Sequence, residues 1–331
     1  MAKGSGPIPV AIMGLGILGR EIARAALASP ELAVVAAVDS ASTFVGKTLS
    51  ELVPGAPKSL RIEGDAARVL ANLRGGVLLH AIGSRFEAIY PQLEAAARCG
   101  IHVVSTCEEL AFPWLHYEDK ADALDHLAKS RGACILGAGV NPGFVLDRLV
   151  ATAGAACGQV RSVHAVRVVD ASLRREALQR RIGMGLSEDE FARRADAGEL
   201  GHVGLEESAA LCALGLGLDC DEFEEDVEAL IAEEDSGGAF PVEKGQVAGI
   251  YQRARGFLEG RQVVDLELTI AAGVEESYDL IELDAEPKVR LKVEGGYPGE
   301  VATAWSVVNA APRMLAAEPG LLTVLELPAG R

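Results

Sequence analysis

Three glycines and a pair of adjacent carboxylates carry the chemistry that this chain advertises. In "PVAIMGLGILGREIARAAL", Gly14, Gly16 and Gly19 stand as GxGxxG between an apolar run and a helix-like segment. Gly14 suits a tight turn, Gly16 lets backbone approach a pyrophosphate, and Gly19 permits close helix-to-strand packing. Ile17 and Leu18 belong to the same cofactor loop. The next apolar run, "LAVVAAVDS", ends in Asp39, 20 residues past Gly19. That is where a carboxylate can accept hydrogen bonds from an adenosine ribose, with Ser40 beside it. The plainer alternative, glycines that only turn the chain and an aspartate that caps a loop, fits the joint spacing less well. No arginine follows Asp39 in "SASTFVGK", so NAD is favoured over NADP; Ser40, Ser42 and Lys47 are the residues that could soften the preference.

The second place is "VVSTCEEL", residues 103–110, an apolar strand-like run that meets Glu108 and Glu109. Burying a carboxylate is costly unless it is used. Beside a reacting carbon it can shuttle protons and favour a developing cation. Successive residues of an extended strand point to opposite sides, so if the strand persists only one of the two acids aims into a given cleft and the other is a cap or ion-pair partner. Residue type alone divides these roles evenly, and a solvated loop acid is the default reading of either. Cys107 has no evident thiolate-making neighbour. Gly83 and Ser84 of "HAIGSRF" follow the apolar run "GVLL" and belong to the same cofactor edge. In "GAGVNPGFVLDRL", Asn141 reads as a helix N-cap and Pro142 as the first helical residue; recognition of the nicotinamide amide is an equal alternative for Asn141.

Such residues need elements that bring strand ends together. From Pro9 to about Val140, short apolar runs alternate with helix-like segments, which implies a parallel sheet covered on both faces. Later runs alternate instead, clearest where Val264, Leu266, Leu268 and Ile270 interleave with Asp265, Glu267 and Thr269. Strands of that kind have one wet face. Residues 176–230 read as a charged helical region interrupted by "GHVGLEES". The acidic stretch "DCDEFEEDVEALIAEED", residues 219–235, reads as a solvated helix face rather than a metal site, and no metal is expected anywhere. The last segment reads as a helix, kinked or ended at Pro312, and a short strand returning to the first domain. The expected fold class is α/β: a Rossmann doubly wound parallel sheet with a second α+β domain carrying a mixed or antiparallel sheet. The boundaries fall at residues 1–145, completed by 300–331, and at 146–299.

The net charge of −17 argues against nucleic-acid and anionic-membrane partners. Six cysteines without CxxC spacing, and the absence of a signal-like or membrane-length apolar segment, predict a soluble cytoplasmic protein.

The joint occurrence of "GLGILGREIA", "HVVSTCEELAFPW", "GAGVNPGFVLDRLV", "VVDASLRREALQRRIGMGLS", "GHVGLEES" and "NAAPRMLAAEPGLLT" resembles the native amine dehydrogenases and their relative 2,4-diaminopentanoate dehydrogenase, NAD(P)-dependent oxidoreductases with a dihydrodipicolinate-reductase-like fold. The resemblance implies that Glu108 is catalytic, that His202 lies in or near the substrate pocket, and that Asn141 and Pro142 lie near the nicotinamide. It also implies a homodimer in which the sheet of the substrate domain helps form the contact, and the alternating strands are expected to offer an apolar face for it. Phe112, Trp114, Phe144 and Trp305 are candidates for an apolar pocket wall, each also explicable as core; Phe144 joins His202 as the substrate-pocket assignment. The expected activity is reversible oxidative deamination of a small primary amine to a ketone or aldehyde and ammonia. A diamino-acid or other amino-acid dehydrogenase, a cyclic imine reductase, and a non-catalytic dinucleotide sensor are the alternatives.

Overall fold

The computed structural model describes residues 6–172, 176–235, 240–328 and 330; the first five residues and residues 173–175 of the "VVDASLRREALQRRIGMGLS" motif lie outside these. The chain divides into two compact units, Met1–Phe144 with Pro298–Arg331, and Val145–Tyr297.

The first unit begins with β1 (Ile8–Met13), α1 (Ile17–Ala28), β2 (Leu32–Val38), α2 (Leu49–Leu52), β3 (Ile62–Glu63), α3 (Ala66–Asn72), β4 (Val77–His80), α4 (Phe86–Arg98), β5 (His102–Ser105), α5 (Trp114–Arg131) and β6 (Cys134–Gly137). The second unit follows with α6 (Arg148–Gly154), β7 (Ser162–Asp170), α7 (Glu176–Arg181), α8 (Glu188–Asp196), α9 (Leu205–Leu216), β8 (Glu222–Ile231), β9 (Val247–Leu258), β10 (Arg261–Ala271), β11 (Tyr278–Asp284) and β12 (Val289–Glu294). The chain then returns to the first unit in α10 (Gly299–Met314) and β13 (Gly320–Leu322). As expected from Pro312, α10 stops two residues beyond it.

In the first unit the strands form a seven-stranded sheet in the order β13-β6-β5-β4-β1-β2-β3, and the described pairings are parallel. Its central strands are apolar throughout because helices cover both faces: Val10, Ala11, Ile12, Val77, Leu78 and Leu79 are fully buried. On one side Phe86, Ile89 and Leu93 of α4 and Leu124 of α5 fill the core against Leu78, Val103 and Ile135. α1 turns a small-residue face inward, with Ile22, Ala23 and Ala26 buried, and packs against α10. The chain leaves β1 for β2 on one side and later fills β4, β5 and β6 on the other. That reversal puts a topological switch point between β1 and β4, where doubly wound sheets bind ligands beyond their carboxyl ends.

The second unit holds a six-stranded mixed sheet, β12-β11-β7-β10-β9-β8, in which β7 and β10 are parallel and the other neighbours antiparallel. α9 packs on β8, β9 and β10, over the buried Ile250, Ala254, Leu266 and Leu268.

Two expectations are corrected here. Residues 222–231 are the edge strand β8, not the end of a helical region, and the acidic stretch is therefore no helix face. Its acids occupy both sides of the strand, which hides the period of two, and Glu224 and Asp226 are held by Arg255 on neighbouring β9. The apolar face of this sheet is the one that α9 covers. The opposite face carries His164, Asp265, Glu267, Arg253 and Arg255, so it is charged rather than apolar. Among the described residues no helix is long and apolar enough to cross a membrane. All six cysteines are free thiols.

Candidate active site

At the carboxyl ends of the parallel strands, the loops bring Gly14, Gly16, Ile17, Leu18 and Gly19 (after β1), Asp39 and Ser40 (after β2), Gly83 and Ser84 (after β4), Glu108 (after β5), and Asn141 and Pro142 (after β6) to one edge of the first unit. Gly14 has φ +89°, and a Cβ on it would lie 2.3 Å from the carbonyl oxygen of Ala81. A Cβ on Gly19 would lie 1.8 Å from the Gly14 oxygen, so the turn closes only without side chains. Gly16 differs: it is exposed and nothing lies within 4 Å of its would-be Cβ. It opens α1 without a side-chain cap, and no acid occupies the first turn. An open glycine at a helix start with uncapped N–H groups is a cradle that suits a pyrophosphate. Asp39, half-buried, accepts from Leu15 N–H at 2.7 Å through Oδ2 and from Ala41 N–H at 2.8 Å through Oδ1. Asp39 thus ties the end of β2 to the glycine loop.

The two glutamates separate, by a different route from the one expected. β5 ends at Ser105, and Glu108 has helical dihedrals (φ −67°, ψ −47°) just before a 3₁₀ turn at Glu109–Ala111. Strand alternation therefore does not apply to the pair; the turn parts them. Glu109 is buried, accepting from the Phe86 N–H at 2.6 Å and from Arg85 at 2.8 Å. It caps the start of α4, and its own N–H donates to the Ser84 carbonyl at 3.2 Å. Burial, then the charge and hydrogen bond of Glu109, push the Tyr117 phenol up to about 12. Glu108 is half-buried at the edge. Burial pushes the Cys107 thiol well above its ordinary range, which removes it as a nucleophile near neutrality.

The loop after β6 departs from expectation. Residues 141–147 form successive turns rather than the first turn of a helix: the Asn141–Pro142 peptide is cis and Gly143 has φ +116°. α6 starts only at Arg148, and its N-cap is Asp147, whose Oδ1 accepts from the Arg148 N–H at 2.5 Å. Asn141 is therefore not a helix N-cap, and Pro142 is not a first helical residue. The physical reason is Gly143, whose positive φ takes the chain out of the helical region. Thr303 of α10 braces the loop, accepting from the Val140 N–H at 3.1 Å. Asn141 is buried and Phe144 half-buried. Phe112 and Trp114 stack obliquely at 5.8 Å between ring centroids, and Trp305 lies half-buried on α10.

In the second unit, the backbone of His202 is clamped by Gln252, which accepts from His202 N–H and donates to His202 O, both at 2.8 Å. His202 itself is half-buried two residues before Gly204, whose φ of +99° opens α9. On the charged face of the sheet, His164, Asp265 and Glu267 bring ligand-type atoms within 4.8 Å of one another. Arg253 already holds Asp265 through two bonds of 2.7 and 2.8 Å, and the group reads as cross-strand ion pairing.

Sequence reading missed one polar pair at the carboxyl edge of the sheet, His80 and Ser105, both with 0% exposure and joined at 2.8 Å. The available signal was a histidine closing the apolar run of β4 and a serine closing the Val103–Val104 run of β5.

Residues 144–331 match the family model described as "2,4-diaminopentanoate dehydrogenase C-terminal domain". The chain belongs to the 2,4-diaminopentanoate dehydrogenase family. Residues 8–108 match "Dihydrodipicolinate reductase, N-terminus". The 2,4-diaminopentanoate dehydrogenase of Acetoanaerobium sticklandii is 26% identical over 98% of this chain and 94% of its own length. Among solved structures, the amine dehydrogenase from Mycobacterium smegmatis superposes with a TM-score of 0.86 at 22% identity, covering 98% of this chain and 97% of that one. A dipicolinate-bound dihydrodipicolinate reductase from Paenisporosarcina sp. TG-14 gives 0.53 at 12% identity, covering 95% and 96%. Membership places the chain among the dehydrogenases, with an NAD(P)-binding fold in its first unit.

Proposed function

We propose that this 2,4-diaminopentanoate dehydrogenase-family member is an amine dehydrogenase that interconverts a small primary amine with its ketone or aldehyde, with Glu108 as its acid–base group. The observation that carries the reading is the division between the two glutamates: Glu109 is buried on Arg85 and the start of α4, while Glu108 stands half-buried at the carboxyl edge. In the aminating direction ammonia adds to the carbonyl carbon, and a proton given to the former carbonyl oxygen lets it leave as water. A carboxylic acid beside that carbon can deliver the proton and then, as the carboxylate, favour the cationic iminium. A bound nicotinamide would supply the hydride that completes the amine. In sum, carbonyl, ammonia, NAD(P)H and one proton give amine, NAD(P)⁺ and water.

Gly16 and the start of α1 would hold the pyrophosphate, with Ile17, Leu18, Gly83 and Ser84 beside it. Asp39 and Ser40 would hold the adenosine ribose and favour NAD, and Asn141 and Pro142 would flank the nicotinamide. His202 and Phe144 are assigned to the substrate pocket. The working assembly is a symmetric dimer and the compartment the cytoplasm. The Acetoanaerobium relative supports a second reading, in which the amine also carries a carboxylate as a diamino acid does.

The test is NADH and NADPH oxidation with acetone, 2-pentanone, pentanal, pyruvate and a cyclic imine, with and without ammonium. Strict ammonium dependence is expected with a ketone, aldehyde or keto acid. Turnover of the cyclic imine without ammonium points to an imine reductase, and cofactor binding without any turnover to a sensor. Glu108→Gln should lower the rate about 100- to 10,000-fold while NADH still binds. Asp39→Ala should move the NADH-to-NADPH affinity ratio toward NADPH; an unchanged ratio removes the ribose assignment.

A further inference from the structure

We propose that His80 and Ser105 are positioning residues, a buried hydrogen-bonded pair that sets the turn from which Glu108 is presented. The inference rests on Glu108 being the acid–base group. His80 closes β4, Ser105 closes β5, and the two face each other in register on neighbouring parallel strands. His80 Nδ1 lies 2.8 Å from Ser105 Oγ. The same Oγ accepts from the Cys107 N–H at 3.1 Å, one residue before Glu108. The Thr106 N–H donates to the His80 carbonyl at 3.0 Å, so side chain and main chain of His80 hold successive peptides of the segment that leaves β5.

Proton counting gives the pair a direction. Ser105 has one hydroxyl proton, and its oxygen already serves the Cys107 N–H. If that proton goes to His80 Nδ1, the ring nitrogen there is bare and the ring proton sits on Nε2. Burial lowers the His80 pKa to about 4, so the ring carries a single proton at neutrality. Nε2 is fully buried without a partner, and so is Oε1 of Gln92, a residue of α4 whose side chain acts on this imidazole. Gln92 favours the protonated ring as a hydrogen-bond acceptor would, which suits a proton on Nε2. The two bonds therefore run one way, from the Cys107 N–H to Ser105 and from Ser105 to His80, leaving the ring proton on Nε2. Closing these strands with alanine and leucine would avoid the desolvation of an imidazole and a hydroxyl. What the polar pair supplies instead is a fixed peptide next to Glu108, and misplacing a catalytic group by about 1 Å can cost on the order of 100-fold in rate.

Two measurements test this. Long-range ¹⁵N–¹H NMR of the whole protein should show His80 neutral between pH 6 and 8, with Nε2 protonated and Nδ1 bare; a protonated Nδ1 overturns the proposed direction. Steady-state kinetics should then be run with NADH, ammonium and the active carbonyl of the panel above. Ser105→Ala should lower kcat about 10- to 100-fold, while the carbonyl KM and the NADH Kd stay within about twofold. Ser105→Thr, which restores the hydroxyl, should recover most of kcat. Wild-type kcat in Ser105→Ala overturns the inference, as does a loss that Ser105→Thr does not reverse in a folded, NADH-binding protein. Glu108→Gln is measured alongside. If it is inactive and Ser105→Ala is not, positioning alone fails; if it keeps wild-type turnover, the assignment of Glu108 itself fails.

Discussion

The carboxyl edge of the seven-stranded sheet and the charged face of the six-stranded sheet are both rich in ionisable groups, and the two regions spend them on different partners. At the edge, acids are wired to backbone: Asp39 takes two main-chain N–H groups and Glu109 takes that of Phe86 as well as Arg85. On the sheet face, side chains pair with side chains across strands, Arg253 with Asp265, Arg290 with Glu282, Arg255 with Asp226, and His164 between Glu267 and Glu282. Half-exposed cross-strand pairs are worth only about 0.2–1 kcal/mol each and exchange readily with water. A buried carboxylate that satisfies a peptide N–H fixes the path of a loop. Charge density alone is thus a poor guide to a site, and backbone engagement by buried polar groups is a better one.

The sharpest way to break this contrast is at Glu109. Glu109→Ala leaves the Phe86 N–H without its acceptor and should cost about 1–3 kcal/mol of stability, read by urea unfolding. Turnover per folded molecule should fall far less than in Glu108→Gln; if Glu109→Gln is the inactive variant and Glu108→Gln is not, the roles are reversed.

Acid unfolding contrasts the two regions through their histidines. Burial lowers the His80 pKa from 6.5 to about 4. The unfolded chain takes up a proton on this group between those values and the folded chain does not, so its contribution is complete above about pH 6.5 and lost as pH falls toward 4. The loss is on the order of 3 kcal/mol. His164 runs the other way: burial lowers its pKa, but hydrogen bonds to Glu267 and Glu282 outweigh that and raise it. Its smaller contribution is complete below pH 6.5 and fades as pH rises through the elevated value. Unfolding measured from pH 4 to 8 should lose its acid slope in His80→Gln, while His164→Gln should leave that slope in place.

The smallest effect belongs to the sheet face. Arg253→Met should change unfolding by less than about 1 kcal/mol. Light scattering sharpens the point, since the proposed dimer requires the mass of two chains, and a single-chain mass at all working concentrations would remove it.

What the sequence disclosed follows from how near the interacting residues lie along the chain. The turn and helix start at the glycine loop were legible because they are written within six residues, and the strand end at Asp39 because one helix and one strand separate it from them. The wet-and-dry alternation of β10 was equally plain. β8 was misread because its acids lie on both sides and two of them are answered by one arginine, Arg255, on another strand. The loop at Asn141 was misread because an Asn-Pro start looks like a helix entry until Gly143 turns the chain away. His80 and Ser105 are 25 positions apart and meet only when β4 and β5 pair. No local pattern announces such a bond.

The late strand β13 has a consequence for how this chain is made. The sheet that begins at Ile8 is not finished until Leu322 has been synthesised and laid against β6, whereas residues Val145–Tyr297 form their own unit in one continuous stretch. On the ribosome the inserted unit can close while the older sheet still waits with the edge of β6 bare. An unpaired edge of that kind is a template for pairing with another nascent chain. Translation of β13 is therefore what covers the edge of β6.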